Sequence, residues 1–110
     1  MSFSDGLSDE LRELVKHLPA EAARQVPELF GHLPDGEIGD DDPIEFAVLN
    51  GKLLVRAGTG SVYSLIEGTT LRYRRHGDGF EVTTFRGGDR IGTATVPATA
   101  IDPGIAAAFN

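Results

Sequence analysis

The pair Asn50-Gly51 stands between two runs of alternating polarity, and it constrains the fold more than any other feature of the chain. Both residues accept the positive φ of a two-residue type I′ turn, whose twist matches that of the strands it joins. The turn fixes a register. Val48 faces Leu53, Phe46 faces Val55 and Ile44 faces Ala57, while Glu45 falls opposite Arg56 on the other face. Apolar residues meet apolar ones and opposite charges meet, so an antiparallel hairpin is predicted here.

The chain then repeats the same grammar. Gly58-Thr59-Gly60, Gly68, Gly77-Asp78-Gly79 and Gly87-Gly88 read as turns. Between them, strands are predicted over about residues 61–66, 70–75, 80–86 and 90–96. Every connection is short, so sequence neighbours become sheet neighbours in an antiparallel meander of about six strands.

Upstream the period is helical. Leu7, Leu11, Leu14, Val15 and Leu18 share one helical face, with Ser8 placed as N-cap and Pro19 closing this helix or opening the next. Ala22, Val26, Leu29, Phe30 and Leu33 repeat the pattern, and Pro27 inside it predicts a kink or a split into residues 20–25 and a short turn at 27–32. At the far end Asp102-Pro103 reads as a cap and an N1 proline, opening a last helical turn over 104–109.

The expected architecture is α+β: two N-terminal helices packed on the meander, with a half-barrel as its curled variant and a short C-terminal helical turn. With 110 residues, the chain is read as a single domain. It divides into a helical, acidic part (1–34), an acidic loop (35–43), the sheet (44–96) and a tail with the short helix (97–110).

Composition removes several function classes. There are no cysteines, so disulfides, thiolate metal sites and cysteine nucleophiles are excluded. The start lacks the basic and apolar regions of a signal peptide, and no apolar run approaches the length of a membrane span, so a cytoplasmic protein without membrane contact is expected. The net charge of −7 is uneven. Residues 1–50 carry twelve acids and three bases, and residues 51–110 carry five acids and seven bases. The strongly acidic half argues against nucleic acid as a partner.

The most pointed constellation is the run Leu71-Arg72-Tyr73-Arg74-Arg75-His76. On a strand, Arg72, Arg74 and His76 share one face, and Glu81, Thr83 and Phe85 join them from the next strand. Leu71 and Tyr73 point the other way, toward Val82 and Phe80. An exposed face of forked guanidinium donors beside an aromatic ring suits a carboxylate-bearing or protein partner, so Arg72, Arg74, His76 and Phe85 are the candidate partner-binding residues. The alternative for the same residues is a solvated outer face.

Other constellations are weaker. Asp35, Glu37, Asp40, Asp41 and Asp42 lack the ligand spacing of a calcium loop. Gly58-Thr59-Gly60-Ser61 lacks the lysine and the following helix of a phosphate loop and reads as a turn. His17, His32 and His76 show no zinc spacing. No nucleophile elbow or acid–base pair stands out, so no catalytic residue, metal or cofactor is assigned. The expected function is a non-catalytic interaction or assembly module, with a protein partner or a second copy of the chain bound at the arginine–aromatic face or by self-association. The alternative is a small-ligand sensor with its pocket between helices and sheet.

Overall fold

The computed structural model describes residues 9–39, 42–58 and 60–109. Ser8 and Leu7 of the first helix signal, Asp40 and Asp41 of the loop, and Thr59 of the glycine turn lie outside them. Two helices, α1 (Asp9–Lys16) and α2 (Ala20–Gly31), precede six strands. These are β1 (Ile44–Leu49), β2 (Lys52–Ala57), β3 (Ser61–Ile66), β4 (Thr69–His76), β5 (Gly79–Arg86) and β6 (Asp89–Pro97). A 3-10 turn (Ala98–Ala100) and α3 (Pro103–Ala107) follow.

The strands form one antiparallel sheet in the order β1-β2-β3-β4-β5-β6. The sheet is open, with β1 and β6 at its edges. The first hairpin has the register its turn demands: Asn50 and Gly51 have φ of 52° and 79°, and Ile44, Phe46 and Val48 pair with Ala57, Val55 and Leu53. Glu45 and Arg56, opposite each other, form an ion pair.

The two faces of the sheet are covered by opposite ends of the chain. On the first face, Ala22, Val26 and Leu29 of α2 bury against Leu53, Val55, Ala57 and Tyr63. Hydrogen bonds fix the docking. Gln25 donates from Nε2 to the Gly51 carbonyl at 2.9 Å and accepts from the Leu53 amide at 3.0 Å. Helices end with carbonyls that lack intrahelical partners. Here the sheet supplies donors: Thr70 donates its hydroxyl to the Leu29 carbonyl at 2.7 Å, and the Gly88 amide donates to the His32 carbonyl at 3.1 Å.

Pro27 does not divide α2, which runs unbroken from Ala20 to Gly31. Proline removes one helical hydrogen bond at a cost of roughly 3 kcal/mol. Pro27 sits on the exposed side, and the buried stripe of Ala22, Val26 and Leu29 continues past it on both sides. Packing on the sheet therefore outweighs the local breaker.

The C-terminal segment crosses to the second face, where Ile105 buries against Leu54, Val62 and Tyr73. Asp102 caps α3 by accepting from the Gly104 amide at 2.7 Å, with Pro103 at the first helical position. Arg56 donates to the Ala108 carbonyl at 3.0 Å, and the Phe109 ring packs on Phe80 with centroids 5.1 Å apart. Gly79 permits the crossing: a Cβ there would run into the Val96 carbonyl oxygen, at the point where β6 ends.

Candidate functional site

The structure separates the four residues expected to form one binding face. Arg72 and Phe85 are together but buried, with 8% and 1% of their surface exposed. The expectation of an exposed arginine–aromatic face is therefore corrected for these two. The alternation is right, but the face it defines is the one that α2 and the loop after it cover. Arg74 and His76 are exposed.

Arg72 is held from three sides. Its Nη1 pairs with Glu37 Oε2, and both side chains are close to nine-tenths buried. Its Nη2 donates to Thr83 Oγ1 at 3.3 Å. Its guanidinium lies 5.3 Å from the Phe85 ring centroid, within cation–π range. Tyr63 donates its hydroxyl to the same Glu37 oxygen at 2.9 Å. Burial, followed by the Glu37 carboxylate, pushes the Tyr63 hydroxyl well above the ordinary phenol range. The ensemble pins the loop after α2 to the sheet. Glu37 carries it, although the sequence shows only an acidic loop there.

His32 likewise has a structural task. Its Nδ1 accepts from the Gly87 amide at 3.1 Å, joining the end of α2 to the turn between β5 and β6. Among the described residues, no group of three or more acids and histidines is placed to hold a metal ion, and no helix is long and apolar enough to cross a membrane.

The interface between α2 and the sheet is filled by side chains. A wide open space lies on the second face, bounded by α3 and the segment before it. It is a groove of about 720 Å³ floored by Leu54, Leu71, Tyr73, Val82 and Ala94 and walled by Ile101 and Ile105. Leu71, Tyr73 and Val82 share this face by the alternation that sends Arg72 to the other. Asp102 brings a carboxylate to the rim. Burial first, and Asp102 second, raise the Tyr73 hydroxyl above its ordinary range.

The groove runs out to β6. This edge strand is nine residues long and exposed at every position but Val96, which is half-buried. Ile91 keeps 59% of its surface in solvent. From Ile91 to Val96 the strand carries no charge and no proline, two of the devices that blunt an edge, and a bulge at Ile91, where the register with β5 shifts, interrupts it near its start. The sequence holds this signal in its last alternating run, although the strand order is needed to place that run at an edge. No family model, curated protein or solved structure matches this chain.

Proposed function

We propose that this protein is a cytoplasmic, non-catalytic assembly module that pairs through β6 with a second copy of itself. The observation that carries this reading is the exposed edge: a long last strand whose stretch from Gly92 to Val96, beyond the bulge at Ile91, is uncharged and proline-free and has no neighbouring strand on its outer side among the described residues. Such an edge is a template for another strand. A strand pairing antiparallel with its own copy about a two-fold axis makes each contact twice, so the surface is self-complementary. The uncharged run carries no pattern that would select a partner of opposite charge. The two grooves then adjoin across one continuous sheet.

Sedimentation velocity across protein and salt concentration tests this. The chain is 11.7 kDa, and a species of twice that mass is expected. It should strengthen with salt, because each copy carries a net charge of −7 that salt screens. Ile91→Lys with Thr95→Lys should return the monomer without loss of fold. A monomer under all conditions, or a dimer indifferent to the two lysines, removes β6 as the interface.

The groove favours a second reading, a small-ligand sensor. Its volume of about 720 Å³ lies in the range of small-molecule sites, roughly 300–1,000 Å³. Its lining is mostly apolar, with Lys52, Ser64, Tyr73, Thr84 and Asp102 among the polar points. A rise in melting temperature with an uncharged apolar probe, lost in Leu71→Lys, would support it.

A further inference from the structure

A second cavity, of about 480 Å³, opens at the rim of the sheet beside the turn between β2 and β3. Glu37, Asp42, Ser61, Tyr63 and Arg74 border it from the first face, and Arg75 and Phe109 from the second. It shares no lining residue with the apolar groove. Its charges are sorted by element. The carboxylates belong to the loop after α2, and the guanidiniums belong to the end of β4.

The hydrogen bonds leave particular atoms for a ligand. Arg74 donates from Nε to Ser61 Oγ at 2.9 Å. This fixes the plane of its guanidinium, and its two terminal amino groups have no partner among the described residues. Glu81 stands opposite Arg74 in register yet forms no ion pair with it among the described residues. Asp42 accepts from the Gly39 amide through Oδ2 at 2.9 Å, and its Oδ1 has no partner among the described residues. Glu37 is neutralised by Arg72. Arg75 holds its guanidinium 5.7 Å from the Phe109 ring centroid, which adds an aromatic wall.

We propose that this cavity binds an α-amino acid or a dipeptide as a zwitterion. The ligand carboxylate lies on the oriented fork of Arg74. The ligand ammonium lies toward Asp42, and an apolar side chain packs on Phe109. A fork matches a carboxylate in two parallel hydrogen bonds, whereas a lone anion would leave Asp42 opposed rather than satisfied. Opposed charges at the two ends of one pocket therefore select a molecule with both.

Titration calorimetry with a set of matched probes tests this on the full chain. L-Phenylalanine and glycylphenylalanine carry both charges, 3-phenylpropionate lacks the ammonium, phenethylamine lacks the carboxylate, and inorganic phosphate is a plain anion. Binding of at least one zwitterion is expected, with each half-ligand weaker by about tenfold or more. Arg74→Gln and Asp42→Asn are exposed changes outside the core, and circular dichroism checks their folding. Each should weaken the zwitterion by about tenfold or more. No heat with either zwitterion overturns the proposal. So does phosphate or 3-phenylpropionate binding as tightly as the zwitterions and indifferent to Asp42→Asn, which would define a plain anion site.

Discussion

Replacing Glu37 with glutamine would remove one negative charge from beneath the loop after α2 and leave Arg72 charged. The Arg72 guanidinium would then keep a long contact to Thr83 Oγ1 at 3.3 Å and the Phe85 ring at 5.3 Å, while its buried Nε already lacks a partner among the described residues. Breaking a buried ion pair from one side costs about 3–5 kcal/mol, because a charge stays behind without compensation. Glutamine still offers a carbonyl oxygen to the Tyr63 hydroxyl, so the expected loss is near the lower end, about 3 kcal/mol. A domain of this size is stable by roughly 5–15 kcal/mol, so the change would consume a large part of the total. Urea unfolding should show a midpoint lower by about 1–3 M at an unchanged slope. Adding Arg72→Met removes the stranded charge, and the double variant should recover most of the loss. A cost below about 1 kcal/mol for Glu37→Gln would mean that water screens the pair like an ordinary surface bridge, and the account of the loop as a buried tether would be wrong.

Phe46 is half-buried and meets the Phe30 ring edge-on at 6.4 Å. Phe46→Ala should cost about 2 kcal/mol in the same assay, below the roughly 3–5 kcal/mol of a fully buried phenylalanine. Gly79→Ala places a methyl group against the Val96 carbonyl, a backbone atom that cannot swing aside, and should destabilise by about 3 kcal/mol. Tyr63 and Tyr73 have hydroxyls raised in the folded state. Their contribution is therefore complete below the unfolded phenol value of about 10 and is lost as pH rises past it. Unfolding free energy should fall above that pH, and Tyr63→Phe should make the fall shallower.

Local chemistry made the meander legible. Asn50-Gly51 dictated a register, and the matched pairs at Phe46 with Val55 and Glu45 with Arg56 agreed with it. The helical stripe of Ala22, Val26 and Leu29 was equally plain. The candidate site was harder. Alternation says that Arg72, Thr83 and Phe85 lie on the same side of the sheet, and they do. It does not say which side the helices cover. That depends on Glu37, thirty-five positions from Arg72, and on contacts of α2 such as Leu29 with Thr70. The opposite alternation carries Leu71, Tyr73 and Val82 to the second face. Tyr73 is buried there with Ile105, whereas Leu71 and Val82 stay half-buried on the floor of the groove, because α3 is only five residues long.

The linear strand order also bears on how the chain folds. Each of the five pairings joins consecutive strands, so each hairpin closes a short loop at small entropic cost, and the sheet can lengthen one strand at a time. The helices α1 and α2 are made before the sheet and can cover the first face as soon as β2 and β3 emerge. The second face waits for Ile105 and Phe109, which follow all six strands. Until those residues are made, the growing sheet carries one finished side and one bare side, with its newest strand always at the open edge.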